Sequence, residues 1–397
     1  MPKVLLLFFF IYSLWQLYFF IKLRSALPLS RTLSAILILV LLLLPFAPIL
    51  VRVAEQAGLN ELAKPLAFWS YLWLAFIFLF VVSGIILDTC LLGATTLSRW
   101  RPSLPLKRLT SPLAGLLIPA SLALTLCLYG FFEARQIHTE TVIINTPKLA
   151  AAHSPLRIVQ ISDVHLGLII GRARLGRILT AVNQARPDIL VSTGDLVDGQ
   201  LDGMEELAEM LADIRPRYGK YAVTGNHEYY AGISHSLSFT KRAGFTLLQG
   251  EAIHLDGLLT LAGVNDRGRH AAELTGPSVE QNLLAPLDQS TFTLLLKHRP
   301  EISPDSFGLF DLQLSGHTHK GQIFPFSLLT NLFFVKNAGL LTIDEQCQLY
   351  VNRGSGTWGP PIRLLSPPEV TVIELRHDMT SPVPDVKPTL DSATKEK

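Results

Sequence analysis

The sequence predicts an α/β domain with helix-covered sheets, preceded by an α-helical membrane domain of four spans. Three observations lead there: an apolar composition, four long apolar stretches confined to the first third, and a later alternation of β-rich runs with amphipathic helical ones. Hydrophobic residues make up 49% of the 397 residues and charged residues 17%. That is too apolar for an ordinary soluble domain, and the length suffices for two domains of ordinary size.

The apolar stretches cover about residues 4–21, 33–51, 68–92 and 113–132, each about long enough to cross a bilayer core. Charges lie between them rather than within them. No small-residue cleavage site follows the first stretch and three more come after it, so it is not read as a removable signal. The alternative, a buried helical core, requires a polar face that these stretches lack. Lys22, Arg24 and Arg31 fall in the first loop, and Arg99, Arg101, Lys107 and Arg108 in the third. Arg52 and Lys64 in the second loop are offset by Glu55 and Glu61. This bias makes loops one and three cytoplasmic. It predicts a multi-pass cell-membrane protein with its N-terminus and C-terminal domain on the outer face. Asp88, near the end of the third stretch, is expected to be solvated at the interface rather than to mark an ion or proton path.

The net charge is +2 and the basic residues are scattered, which argues against nucleic acid as a partner. Cys90, Cys127 and Cys347 imply no disulfide framework. Every histidine lies at or beyond His138, so any metal chemistry belongs to the second part of the chain. The expected division is a membrane domain over 1–135, a soluble α/β domain over 136–376 and a polar, disordered tail over 377–397. In the soluble part, strands are expected near 141–145, 156–161, 188–192, 221–224, 258–262, 291–296, 312–314 and 369–375. Helices are expected over 172–185, 203–214 and 234–243. The alternation gives an α/β domain.

Five short segments carry the chemistry: Asp163-Val164-His165, Gly194-Asp195-Leu196-Val197-Asp198, Gly225-Asn226-His227-Glu228, Lys297-His298 and Gly316-His317-Thr318-His319. Each follows an apolar strand, where a loop presents side chains from a rigid support. Residues two apart on an extended segment share a side, so Asp163 and His165 can converge on one ion, as can His317 and His319 on a neighbouring pair. Carboxylate oxygen and imidazole nitrogen suit Mn, Fe, Zn and similar ions. A mixed set of Asp, His and Asn is what a two-metal hydrolytic site requires. The glycines before Asp195, Asn226 and His317 permit tight turns close to the ions. Singly, each segment has a plainer reading: Gly-Asp is a turn, Gly-Asn another, and His298 alone a core histidine.

Together and in this order, the segments resemble the signature of the calcineurin-like metallophosphoesterase family, over roughly residues 156–375. Ile161-Ser162-Asp163-Val164-His165-Leu166-Gly167 and Lys297-His298-Arg299-Pro300 are similar to its membrane-attached branch. That branch includes bacterial phosphodiesterases and an animal transmembrane protein with a metallophosphoesterase domain. The resemblance implies a four-layer α/β/β/α sandwich and two divalent metal ions. One ion would be held by Asp163, His165 and His319, the other by Asn226, His298 and His317, with Asp195 bridging. It implies a hydroxide between the ions as nucleophile, His227 as general acid and Asp198 as the residue that orients it. Lys320 departs from the branch, which often has Gly there, and is expected to face solvent.

The expected function is metal-dependent hydrolysis of a phosphate ester, a phosphodiester in particular. The narrower expectation is a lipid or nucleotide-lipid substrate, because apolar runs at 166–170 and 323–335 flank the site segments and would form an apolar lip. The rival readings are an idle scaffold, disfavoured by the complete ligand set, and an accessory domain of a four-span transporter or receptor. The spans lack the charged or broken segments of a transport path.

Overall fold

The structure is a computed structural model and describes residues 2–98, 110–199, 203–266, 279–344 and 347–378. The first third forms α1 (Pro2–Ala26), α2 (Arg31–Leu43), α3 (Ala47–Gln56), α4 (Asn60–Ser98) and α5 (Pro112–Glu133). Among the described residues, four segments are long and apolar enough to cross a membrane: Leu6–Ala26, Arg31–Gln56, Asn60–Leu97 and Pro112–Glu133. They match the expected stretches, with one difference. The second is broken by a 3-10 turn at Leu44–Phe46, because Pro45 and Pro48 have no N–H to continue the helical ladder. Small and aromatic residues knit the bundle, with Tyr12, Ala75, Ile77, Phe80 and Ala123 at its core.

At one end of the bundle, Lys22 Nζ lies 2.5 Å from Asp88 Oδ1, and Tyr18 Oη donates to Asp88 Oδ2 at 2.9 Å. Asp88 is therefore paired rather than simply solvated, since an unpaired carboxylate beside apolar helices is costly. The ends of α3 and α5 meet the second domain at the opposite end, through Arg52 and Glu133. Loop 99–109, with its basic residues, and the tail beyond 378 lie outside the described residues.

The second domain contains two six-stranded sheets. The first holds β1 (His138–Thr146), β2 (Leu156–Ile161), β3 (Ile189–Ser192), β4 (Lys220–Ala222), β5 (Thr246–Leu247) and, from the far end of the chain, β12 (Glu369–His377). Its order is β1-β12-β2-β3-β4-β5. The second holds β6 (Glu251–Leu255), β7 (Leu259–Val264), β8 (Thr293–Lys297), β9 (Leu312–Ser315), β10 (Gly339–Thr342) and β11 (Gln348–Val351), in the order β10-β11-β9-β8-β7-β6. The runs β2 to β5 and β7 to β9 are parallel. Strands buried on both faces need near-continuous apolar sequence, which Ile189–Ser192 and Thr293–Lys297 supply.

Leu156, Ile158, Ile189 and Val191 face Leu261, Leu294, Leu296 and Leu312 between the sheets. On the outer side of the first sheet lie α6 (Arg172–Ala185), α7 (Glu205–Ala212) and α9 (Ile233–Arg242). Over the second lies α10 (Val279–Leu284), with Leu284 packed near Leu295 and Phe310. The result is the four-layer sandwich of helices, two sheets and helix. Of the remaining helices, α8 (Asn226–Ala231) begins with the site residues Asn226 and His227, and α11 (Phe326–Phe333) comes shortly after His319.

The sequence anticipated eight of these strands within a few residues and missed β5, β6, β10 and β11. β5 is two residues long, and β10 alternates between half-buried and exposed at an edge. α8, α10 and α11 also escaped, being six to eight residues each, too short to display a helical period.

Candidate active site

The five segments meet at one edge of the sandwich. Asp163 and His165 follow β2, Asp195 and Asp198 follow β3, Asn226 and His227 follow β4, His298 follows β8, and His317 and His319 follow β9. All five strands point their C-terminal ends the same way, where open α/β sheets leave room for ligands.

The backbone achieves convergence by a route that spacing did not reveal. Asp163, His165, Asp195, His317 and His319 all have positive φ, between 49° and 71°. An extended chain was expected at Asp163-Val164-His165 and His317-Thr318-His319. The chain instead visits the left-handed region at alternate residues, which turns the paired side chains toward the same point. Such conformations cost about 1–3 kcal/mol each and persist only where surrounding bonds enforce them. The enforcing bonds are present. Asp163 N donates to Gly194 O and His165 N to Asp195 O, both at 3.0 Å. His317 N donates to the Asp163 carboxylate at 3.0 Å. The glycines serve closeness of approach: a Cβ at Gly225 would fall 2.2 Å from Asp195 Oδ1, and one at Gly316 2.0 Å from Ser162 Oγ.

Among the described residues, three overlapping donor groups result, each with ligand atoms within 4.8 Å of one another: Asp163, His165 and His319; Asp195, His298 and His317; and His165, Asp195 and His227. Asp195 stands between the first two, with Oδ2 3.2 Å from His298 Nε2 and 3.9 Å from His165 Nε2. Asn226 is 6% exposed, and its Oδ1 is buried without a hydrogen-bond partner. A buried amide oxygen left unpaired is costly, and a cation beside it removes that cost. His298 Nδ1 donates to Thr193 O at 2.8 Å, so Nε2 is the ring nitrogen turned toward Asp195 and the one that would ligate a metal on giving up its proton. The chemistry of this donor set fits two divalent cations.

Charge is concentrated here. Burial pushes the Asp163 carboxyl up, and the neighbouring Asp195 adds to that push. Burial also works against ionisation of Asp195, but the adjacent imidazoles of His298 and His227 outweigh it and hold the group well below the usual carboxylate range. Burial alone would deprotonate His298, yet Asp195 lifts it to about 10. His317 is driven down to about 2 by burial and by the positive charge of His298 and Arg299. Carboxylates that draw protons onto their neighbours in this way are carboxylates suited to cations.

His227 sits beside these groups. Asp198 Oδ1 is 2.7 Å from His227 Nδ1 and 3.2 Å from His165 Nδ1. Burial would lower the pKa of His227, but Asp195 and then Asp198 raise it to about 9.

Two buried groups supporting this site were not anticipated. Glu228 accepts from the backbone N–H of Asp195 at 3.0 Å, Leu196 at 2.7 Å and Gly225 at 2.7 Å, so one carboxylate ties two ligand loops together. Its place three residues after Gly225, a helix-start spacing, was the available signal. Arg363 is fully buried, with Nη2 3.2 Å from His319 Nδ1; nothing in its local sequence marks it. Lys320, expected in solvent, is half-buried. Of the expected apolar lip, the first run is core at its two ends and half-buried at Gly167, Leu168 and Ile169. Leu166 and Ile170 are 0% and 2% exposed, drawn in by bridges to each other and to Val197. The second run ends bare, with Leu332, Phe333 and Val335 at 78%, 80% and 75% exposure.

Residues 156–321 match the family model of the calcineurin-like phosphoesterases. The chain is 37% identical over 257 residues to an uncharacterized metallophosphoesterase of Aquifex aeolicus, covering 64% of this chain and 98% of that one. It is 36% identical over 250 residues to an uncharacterized metallophosphoesterase of Helicobacter pylori, covering 62% of this chain and 66% of that one. It is 32% identical over 265 residues to a transmembrane protein with metallophosphoesterase domain from Danio rerio, covering 64% of this chain and 60% of that one. The chain thus spans nearly all of the Aquifex relative and slightly under two thirds of the other two. Two sheets closing on a cluster of Asp, His and Asn, and the match over that same region, make this chain a member of the calcineurin-like metallophosphoesterase family.

Proposed function

We propose that the protein is a membrane-anchored hydrolase that cleaves a phosphodiester with two divalent cations. The buried, unpartnered Oδ1 of Asn226, whose chain neighbours Gly225 and His227 both lie against the Asp195 carboxylate, is the observation that carries the two-cation reading. Asp163, His165 and His319 would hold one ion, Asn226, His298 and His317 the other, and Asp195 both. When bound, such ions would supply charge for the phosphate oxygens and lower the pKa of bound water. The chain's own residues do the rest. Asp198 fixes the imidazole of His227 through Nδ1, and the remaining ring nitrogen donates a proton to the departing oxygen. Glu228 holds the Asp195 and Gly225 loops in register.

The apolar helices anchor the enzyme in a cell membrane, with the phosphoesterase domain on the outer face. The basic residues of loops one and three support that orientation. A lipid-linked substrate follows from the bare apolar surface of 326–335, which lies next to His317 and His319 and contains no acidic residue. The full-length protein should hydrolyse bis(4-nitrophenyl) phosphate when Mn is added and lose that activity to a chelator. It should also bind about two Mn per chain by elemental analysis. A single bound ion with full activity would remove the two-cation reading.

A further inference from the structure

The space in front of His227 is closed on its far side by the apolar bundle. A cavity of about 560 Å³ extends from Asp198 and His227 to α3 and α4, where Val51, Arg52 and Tyr71 form the opposite wall. Two contacts fix α3 in this position. Arg52 Nη2 donates to Tyr230 O at 2.9 Å. Glu55, 5% exposed, stands against Gly199, where a Cβ would fall 2.5 Å from Glu55 Oε1. The side walls are Leu168, Ile169 and Trp358, the last with its ring centroid 5.9 Å from that of His227. The other face of α3 carries Ile49, Leu50 and Val53 at 45%, 55% and 57% exposure. One helix therefore stands between this cavity and the apolar outer surface of the bundle.

A general acid must lie within hydrogen-bond reach of the oxygen it protonates, so the group that departs occupies the space His227 faces. That space has the volume of a small-molecule site, and its walls mix aliphatic and aromatic side chains with the polar groups of Arg52, Glu55, Asp198 and the tyrosines. Among the described residues lining it, Arg52 is the only arginine or lysine. Its guanidinium is already engaged by Glu55 Oε2 at 2.9 Å and by Tyr230 O. With the carboxylates of Glu55 and Asp198 in its walls and Arg52 engaged, the cavity selects against a second anionic group, and Val51, Leu168, Ile169 and Trp358 give an uncharged alcohol apolar surface to rest on.

We infer that this cavity is the leaving-group subsite and takes the apolar alcohol of a membrane phosphodiester, so that the P–O bond broken is the one on the lipid side. The inference rests on the reading of His227 as the acid. In the reaction, an oxygen from water bonds to phosphorus, and the electron pair of the broken P–O bond goes to the lipid oxygen. That oxygen takes a proton from His227, and the proton of the attacking water passes to the medium. The products are a lipid alcohol and the phosphomonoester of the head group. A soluble enzyme with an open site has no reason to choose this side; the choice comes from α3 forming the wall.

The test uses the full-length protein in nanodiscs of palmitoyl-oleoyl phosphatidylglycerol and phosphatidylethanolamine with Mn, read by mass spectrometry. Diacylglycerol and the head-group phosphate are expected; phosphatidate with the free head-group alcohol would overturn the inference. Cleavage of bis(4-nitrophenyl) phosphate with neither phospholipid cut would also overturn it while leaving the hydrolase reading in place. Failure on both substrates would remove the hydrolase reading itself. A second measurement does not depend on turnover. A diazirine-bearing diacylglycerol in the same nanodiscs should label peptides containing Val51 or Ile169, and Ile169→Trp, which fills the cavity, should cut that labelling about tenfold. Labelling confined to the outer face of α3, unchanged by Ile169→Trp, would count against the subsite.

Discussion

Asp198 places one carboxylate oxygen 2.7 Å from Nδ1 of His227, and the same oxygen is 3.2 Å from Nδ1 of His165. A single atom thus orients both the imidazole read as acid and one read as metal ligand. His227→Ala should depress turnover of esters with poor leaving groups about a hundredfold or more. Activated aryl esters should suffer far less, because they depart without a proton. Asp198→Asn should impair both substrate classes, since His165 is disturbed as well. Equal losses on both classes in His227→Ala would assign that residue to binding instead.

Asp195→Asn should leave a folded protein with activity lower by on the order of a thousandfold. A neutral amide cannot bridge two cations as a carboxylate does. Thermal denaturation would verify the fold, and elemental analysis should show reduced metal content. Near-normal turnover with Mn added would contradict the bridging role.

Glu228→Gln should lower the unfolding free energy by about 1–3 kcal/mol. Both carboxylate oxygens accept backbone N–H groups from Asp195, Leu196 and Gly225. The amide keeps one acceptor and aims a donor at donors. The variant should denature at lower temperature and lose activity together with the register of the Asp195 loop. An unchanged melting temperature would show that the loops hold themselves.

Gly225→Ala should be more damaging than its one carbon suggests. The added methyl would meet Asp195 Oδ1 at 2.2 Å and Asp195 N at 2.7 Å. The backbone and the bridging carboxylate cannot both keep their positions, so activity should fall further than stability, which drops about 1–3 kcal/mol. Parallel kinetics and chemical denaturation would separate the two effects.

Paired reporter fusions at the C-terminus, one active only in the cytoplasm and one only outside it, should signal outside. Signal from the inward reporter would reverse the orientation and favour a substrate in the cytoplasmic leaflet.

What was legible in the sequence follows the range of the physics involved. Asp163, His165, Asp195, Asn226, His298, His317 and His319 could be picked out as candidate ligands because such chemistry needs particular side chains at short spacing after strands, and the fold brings their loops together. The long apolar stretches were legible because bilayer thickness sets their length. The left-handed backbone at Asp163, His165 and His319 was not, since residues other than glycine carry no mark of positive φ. Arg363 lies 44 residues beyond His319 and reaches it only through tertiary packing. The break at Pro45 was visible as a proline, but its effect depends on α3 having Tyr230 and Gly199 to rest against. Arg52 and Glu55 read as ordinary loop charges until the second domain was folded beside them.

The seam between α5 and the strand-end loop near Arg363 has a practical consequence. Arg363 N donates to Gly130 O at 2.9 Å, Leu365 N donates to Glu133 Oε2 at 3.0 Å, and Ile323, Ile362 and Leu364 pack into the same cluster as Tyr12, Leu116 and Cys127. A shortened chain beginning at residue 136 would lose both acceptors and bare three aliphatic side chains one loop away from His319. Detergent choice, rather than removal of the hydrophobic third, is therefore the variable on which preparation of active material turns. Grafting the catalytic half onto a foreign anchor would have to reproduce Gly130 and Glu133 along with the anchor.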